Sequence, residues 1–409
     1  MKVMRAHKTE LDLNNRQRTA CAKHAGAARF AYNWGLARKK EAYKAGEKTP
    51  SAIDLHRELN ALKRGELTWM YEVSKCAPQE ALRNLDRAYA NFFRRVKGTR
   101  QNGKAGFPRF KSRKNGLGSF RLTGTIRVFE RHIQLPRLGR LRLKEAGYLP
   151  ANGFKILSAT VSERAGRWFV SVQCEVDIPD PRPQDKPVCG IDLGVSKLAT
   201  VSDGAVIENP RALRDGLVRI KRLQRAVSRK KKGSGNRKKA VTKLVKAHAR
   251  VANVRSNALH QVTSLLTKTK SAVVLENLNV SGMLKNHRLA QAIADVGLHE
   301  FRRQMQYKGG WYGCEVLFAN RFYPSSKTCS NCGYKKDALG LGERVYRCKA
   351  CGWEIDRDLN AAINLEKLYF TTASSAGSNA CGEDVSPALE QADLVEAGTK
   401  RQTALRMFA

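Results

Sequence analysis

The chain has 409 residues and carries 76 Lys plus Arg against 36 Asp plus Glu, a formal net charge of +40. That length allows two or three domains with at least one sizeable core, and the charge surplus calls for a polyanionic partner, most commonly nucleic acid, over a merely solvated basic surface. No run reaches 18 consecutive apolar residues and the first ten lack the apolar stretch of a secretory signal, so no membrane partner is expected, and ten cysteines in so long a chain fit a reducing cytoplasm.

In chain order, residues 1–9 read as a short first strand and 14–97 as helical. Leu82, Leu85, Tyr89 and Phe92 recur at helical spacing, with Arg83, Arg87, Arg94 and Arg95 on other faces. Phe30 and Trp34 stand four apart on one helix face, where core packing competes with base stacking. The segment GKAGFPRFKSRKNGLGSFR (103–121) mixes glycines, which let a backbone approach a phosphate, with aromatics and cations that can stack on bases. Lys111, Arg113 and Lys114 are its candidate nucleic-acid contacts. Residues 119–177 look like β structure: Trp168, Val170, Val172, Cys174 and Val176 alternate with polar or half-polar neighbours after a turn at Ala165 and Gly166. Pro179, Pro181, Pro183 and Pro187 then mark a linker and the main domain boundary.

Beyond the linker, 188–202 reads as strand, tight turn, strand, and Asp203-Gly204 as a further hairpin turn. Residues 211–268 read as mostly helical. Between Arg211 and Arg255 there are 17 Lys or Arg and one acid, Asp215. The run SRKKKGSGNRKK (228–239) breaks two helices and offers Lys230, Lys231 and Lys232 to phosphates. A strand at Ala272–Glu276, a helix at Leu298–Tyr312, a strand over 315–322 and a final helix from about Asp358 to Leu368 follow. Residues 369–409, with five acids against three bases and much Ser, Ala, Gly and Thr, read as a disordered tail.

Two constellations carry chemistry. Cys329 and Cys332, then Cys348 and Cys351 after fifteen residues, form two CxxC knuckles that can close four thiolates around one Zn²⁺. A closed site of that kind has no open position, so its zinc is structural. Gly333 and Gly352 each follow a knuckle, where the turn needs positive φ. The second constellation is three acids. Asp192 lies in the apolar run CGIDLGVS, where a buried acid needs a partner or a metal. Gly190 and Gly194 beside it leave room for a substrate backbone. Glu276 ends the strand AVVLE, at the edge where open α/β sheets place their sites. Asp358 opens the helix DLNAAINLEKL, where helix capping is its ordinary use, and Asp356 competes for its role. Three carboxylates suit two Mg²⁺ ions acting on a phosphodiester.

The order GIDLG, VLENL and YPSSKTCSNCG…CKACGWEIDRDLNAAINL resembles the TnpB family encoded by bacterial insertion sequences, which is similar to the type V CRISPR effectors. GAARFAYNWGLARKKEAY (26–43), GFPRFKSRK (106–114), LPRLGRLRLK (135–144) and QYKGGWYG (306–313) extend the resemblance over about residues 1–368. It implies an α/β nuclease domain plus α and β parts. An RNase H-like RuvC domain would span 186–324 and 356–368, with the zinc knuckle (325–355) inserted. A β wedge of oligonucleotide-binding type (1–9 and 119–180) would precede it, interrupted by a helical recognition lobe and basic loop (10–118). It further implies that Asp192, Glu276 and Asp358 are the catalytic, Mg²⁺-holding acids. A guide RNA from the transposon end would direct double-strand breaks in target DNA beside a short motif, in a prokaryotic cytoplasm at the nucleoid. A non-cutting regulator or accessory protein of transposition, and a strand-joining transposase, are the alternatives, and the oligomeric state stays open.

Overall fold

A computed structural model describes residues 2–98, 106–113, 116–150, 154–178, 185–340, 342–375 and 389–391. They fall into two compact units, Met1–Ile178 and Pro179–Ala409.

The first unit contains β1 (Lys2–Asp12), α1 (Asn15–Lys44), α2 (Ala52–Leu62), a 3₁₀ turn (Thr68–Glu72) and α3 (Cys76–Val96). Six strands follow: β2 (Ser119–Leu122), β3 (Arg127–Val128), β4 (His132–Leu135), β5 (Gly139–Leu143), β6 (Lys155–Arg164) and β7 (Arg167–Asp177). One antiparallel sheet in the order β2-β6-β7-β1-β5-β4-β3 joins the first strand to those beyond the helices. β7 shows why. Trp168, Val170, Val172, Cys174 and Val176 are all buried on one face, and β1 pairs along it from Lys2 opposite Asp177 to Leu11 opposite Trp168. The β6–β7 hairpin closes through Ala165 (φ 58°) and Gly166 (φ 78°), the two positive φ values that a tight right-twisted hairpin needs. Helix α1 starts at a reciprocal capping box between Asn14 and Gln17. Its Gly35 lets α2 and α3 close in, since a Cβ there would meet Leu82 Cδ2 at 2.7 Å. Phe30 and Trp34 pack against this core, with Phe30 edge-on to Trp69 at 5.4 Å, which favours packing over base stacking.

The second unit begins with β8 (Cys189–Leu193), β9 (Lys197–Val201) and β10 (Val206–Glu208), an antiparallel meander. The long helices α4 (Ala212–Ser228) and α5 (Gly235–Thr269) lead to β11 (Ala272–Glu276). Then come α6 (Val280–Met283), α7 (Ala290–Val296), α8 (Leu298–Tyr312), β12 (Glu315–Ala319), the small hairpin β13 (Val345–Arg347) and β14 (Glu354–Asp356), and α9 (Arg357–Ser375). The large sheet has the order β10-β9-β8-β11-β12, with β11 parallel to both β8 and β12. One face packs Cys189, Ile191, Val273 and Leu275 under Leu259, Phe301 and Met305 of α5 and α8; on the other, Leu365 and Leu368 of α9 cover Val274 and Leu317. Burial on both faces explains why β11 reads as an unbroken apolar run.

Three expectations change. β12 stops at Ala319, not 322, because Asn320 turns the chain: its side chain accepts from Phe322 N (3.0 Å) and its carbonyl from Tyr323 N (2.9 Å). The final helix continues past Leu368 to Ser375, and Tyr369 packs on the same apolar cluster as Leu365 and Leu368. Finally, β15 (Leu389–Gln391) pairs antiparallel with β12, so residues 369–375 and 389–391 do not form the disordered tail that composition implied. A ladder partner for an otherwise bare sheet edge is the physical reason; the rest of 369–409 lies outside the described residues. Among the described residues, no helix is long and apolar enough to cross a membrane.

Candidate carboxylate site and cysteine cluster

Strand register brings the first two acids together. Cys189, Gly190 and Ile191 of β8 lie opposite Val273, Val274 and Leu275 of β11. One step further sets Asp192 beside Glu276 at the C-terminal ends of parallel neighbours, about 4.8 Å apart. Side-chain alternation turns both acids to the face of Val274, which α9 covers.

The third acid arrives on α9. A Cβ at Gly190 would lie 2.0 Å from Ala362 O and 2.5 Å from Glu366 N, so the helix rests directly on that glycine. One turn back from Ala362 stands Asp358, while two residues on from Gly190 stands Asp192. The contact that requires glycine therefore also delivers Asp358 to the strand ends. This corrects the expectation that Gly190 and Gly194 clear space for a substrate: Gly190 admits α9, and a Cβ at Gly194 would meet Lys197 O at 2.9 Å, across the tight β8–β9 turn.

Asp356 and Asp358 now separate by role. Asp356 Oδ1 accepts from Asp358 N (2.9 Å) and Leu359 N (3.1 Å), which makes Asp356 the N-cap of α9. Its carboxylate also faces Lys197 at 3.4 Å. The cap that Asp358 could have supplied is taken, and Asp358 faces the other two acids with Arg357 at 3.5 Å.

The acids feel one another. Burial holds the Asp192 carboxyl well above the usual carboxylate range, and the charges of Glu276 and Asp358 raise it further while Arg357 opposes them. Glu276 is raised by burial first and by Asp358, against a hydrogen bond from Ser325. That bond runs from Ser325 Oγ to Glu276 Oε1 at 2.6 Å. A cation stabilises buried carboxylates that otherwise repel one another. An all-oxygen donor set suits a hard divalent one.

The four cysteine sulfurs do converge. Cys329 and Cys351 Sγ are 3.8 Å apart and Cys332 and Cys348 Sγ 3.6 Å, close to the ~3.8 Å edge of a tetrahedron with Zn–S near 2.3 Å. Both knuckles close alike: Gly333 (φ 78°) donates to Cys329 O and Gly352 (φ 71°) to Cys348 O. Burial raises the Cys348 thiol, but backbone N–H groups of Cys351 and Ala350 with the neighbouring thiols bring it down on balance; at Cys332 a backbone hydrogen bond at Tyr334 lowers the thiol but its contacts with Cys351 and Cys348 raise it on balance, so the protons belong to the cluster and not to one sulfur. Among the described residues the other cysteines join no such cluster. Cys21, Cys76, Cys174, Cys189 and Cys314 are buried, and Cys381 lies outside the described residues.

Sequence reasoning missed how cluster and acids are joined. Asn360 and Asn364, one turn apart on α9 and both buried, each donate Nδ2 to Thr328 O at 2.7 Å. Asn364 also donates to Ser325 O (2.8 Å), Asn360 Oδ1 accepts from Ser330 N (2.8 Å), and Lys367 donates to Ser330 O. The start of the first knuckle is thereby fastened to the helix that carries Asp358, and the same segment holds Ser325 on Glu276. Two polar side chains spaced i, i+4 on the face that buries Ala361 and Leu365 were the available signal.

The expected nucleic-acid contacts are placed as follows. Lys230, Lys231 and Lys232 are exposed in the α4–α5 loop. Asp295 pins the base of this basic hairpin, accepting from Leu213 N (2.9 Å), Arg214 N (3.2 Å) and Arg255 Nη2 (2.8 Å). In the first unit, Lys111 Nζ sits over the Tyr32 ring at 3.9 Å and Arg113 is exposed, while Lys114 lies outside the described residues.

Fold and site together define a mixed α/β protein with acids grouped at parallel strand ends and a four-thiol cluster before its last helix. In fold it is similar to the Cas12f1 chain of a cryo-EM complex with guide RNA and target DNA, at a TM-score of 0.55 and 13% identity, covering 89% of this chain and 99% of that one. Residues 171–287 match the OrfB_IS605 family model, described as "Probable transposase", and 299–365 match a "Cas12f1-like, TNB domain" model. A Streptomyces pristinaespiralis protein provisionally named RNA-guided DNA endonuclease is 35% identical over 404 residues, 98% of this chain and 96% of its own length. InsQ of Escherichia coli K12, with the same provisional name, is 33% identical over 403 residues, 94% and 96% of the two chains. The chain belongs to the TnpB family. A helix-turn-helix model also matches residues 1–48, yet the structure has one strand and one 30-residue helix there.

Proposed function

We propose that this protein is an RNA-guided endonuclease that hydrolyses double-stranded target DNA at Asp192, Glu276 and Asp358. The observation that carries this reading is their convergence by two independent constraints, the β8–β11 register and the seating of α9 on Gly190. The meander β10-β9-β8 followed by parallel β11 and β12 supports an RNase H-like RuvC domain. The three acids would hold two Mg²⁺ ions, which when bound supply activation of a water and stabilisation of the leaving oxygen. Asp192 and Glu276 are fixed by strand ends, and Ser325 engages one Glu276 oxygen and leaves the second as a ligand. Asp356 keeps the first turn of α9 in place and so aims Asp358. One Zn²⁺ on the four cysteines would be structural. The relatives' names and the fold neighbour's partners support a guide RNA and DNA as ligands; the RNA would come from the transposon end, cleavage would fall beside a short DNA motif, and the sheet of the first unit would act as a wedge beside a helical lobe. The site of action would be the nucleoid in a prokaryotic cytoplasm.

Purification of the protein from cells that carry its native locus, followed by sequencing of bound RNA, tests guidance. A single transcript ending at the transposon end is expected; absent or random RNA would favour a non-cutting DNA-binding role. Ser325→Ala should lower the cleavage rate about ten- to a hundredfold with zinc content unchanged, because a hydrogen bond to a charged group contributes roughly 1.5–3 kcal/mol. Single-turnover cleavage measures it, and a wild-type rate would remove Ser325 from the site. Replacing Lys230, Lys231 and Lys232 with Gln should shrink the slope of log affinity against log salt by about 2–3. An unchanged slope would make this loop a solvated face.

A further inference from the structure

Phe322 is the most exposed large apolar side chain among the described residues, at 88%. It lines a cleft of about 350 Å³ with Glu276, Ser325, Lys327 and Lys335. Both of its flanks are fastened to the carboxylate frame. On one side, Ala319 of β12 is the register partner of Glu276, and Asn320 accepts from Phe322 N at 3.0 Å. On the other, Tyr323 OH donates to Asn364 O at 3.2 Å and Ser325 bonds Glu276. The segment that carries Phe322 is thus tied on both sides to the elements that carry the acids, while the ring itself is exposed.

A rigidly mounted, solvated aromatic beside cations is the arrangement that binds single-stranded nucleic acid: the ring stacks on a base and the cations attract its phosphates. Bases inside a duplex are already stacked, so only a strand freed from its complement can use the ring. We propose that Phe322 is a substrate-stacking residue, which seats one unpaired base of the cleaved strand and so presents the neighbouring phosphate to Asp192, Glu276 and Asp358. Stacking needs no particular base, so the contact adds strand selectivity without sequence preference. This proposal rests on the nuclease reading above.

The test compares wild type, Phe322→Ala, Phe322→Leu and Phe322→Trp, loaded with guide RNA, on DNA in which a single abasic position is walked across the cut site. Phe322→Ala is expected to lower kcat/KM roughly tenfold, with melting temperature and zinc content unchanged because the ring packs little. Trp should restore most of the loss and Leu should not. In the wild type, an abasic site at one position should reproduce the loss, and combining it with Phe322→Ala should cost no more than either alone. A wild-type rate for Phe322→Ala, rescue by Leu as good as by Trp, or losses that multiply at every position would overturn the proposal while leaving the nuclease reading intact. A wild-type chain that does not cut would overturn both.

Discussion

Asp192→Ala, Glu276→Ala and Asp358→Ala are each expected to lower guided DNA cleavage by about a thousandfold or more, with nucleic-acid affinity nearly unchanged. Metal-ion catalysis supplies several kcal/mol of transition-state stabilisation, and each 1.36 kcal/mol is a factor of ten. In the proposed reading binding would rest instead on dispersed cations, such as those of the α4–α5 hairpin. The same site should show a trade of stability for function. The buried Asp192 carboxyl is raised by burial and then by Glu276 and Asp358. A carboxylate whose folded pKa lies above its unfolded value, ~3.9, leaves stability untouched below that value. It costs stability increasingly as pH rises from that value to the folded pKa, and fully above it. Asp192→Asn should therefore raise the melting temperature in magnesium-free buffer at neutral pH, lose that advantage near pH 3, and still fail to cut. Asp356→Asn separates the two neighbouring acids: loss of charge at an N-cap costs about 1 kcal/mol of helix stability at most, so most cleavage should remain. Normal cutting by Asp358→Ala, with none by Asp356→Asn, would exchange their roles.

Loss of the zinc cluster should have the second largest effect. Cys329→Ser is expected to release about one zinc per chain and to lower cleavage at least tenfold, although no cysteine touches the acids. The knuckle holds Thr328, whose carbonyl accepts from both Asn360 and Asn364, and Ser330, which accepts from Lys367. Apo sites of this kind rarely stay folded. Unfolding would strand two buried amides at roughly 1–3 kcal/mol each and release Ser325 from Glu276, so the helix carrying Asp358 would lose its anchorage. Elemental analysis with single-turnover kinetics measures both effects. Full zinc in the variant would sink the four-cysteine assignment, and zinc loss with normal cutting would sink the coupling.

Elements whose residues are patterned strongly by their own surroundings were legible in the sequence. β11 and α8 lie where their apolar runs and periodicity put them, and β7 alternates as written. Cys329, Cys332, Cys348 and Cys351 were legible because two CxxC knuckles that can close on one metal have a characteristic spacing. What was not legible depends on partners far away in the chain. Gly190 reads as space for a ligand until Ala362 is seen above it. Asp356 and Asp358 stand two apart before one helix, and spacing alone cannot tell a cap from a ligand. Ser325, Asn360 and Asn364 are ordinary polar residues until folding buries them on one another. The pairing of β15 with β12 joins segments some seventy residues apart, and no local composition announces it.

If RNA directs cleavage at the three-acid site, a change of RNA should redirect it. Purified protein is loaded with the native transcript or with the same transcript carrying a new guide segment. Each is given a plasmid holding both matching sites beside the same short motif, in Mg²⁺, with Asp192→Ala as the control. The double-strand break should move with the guide and vanish in the control. Cutting at the same place whatever the guide, or cutting that persists in Asp192→Ala, would rule out guided cleavage at these acids.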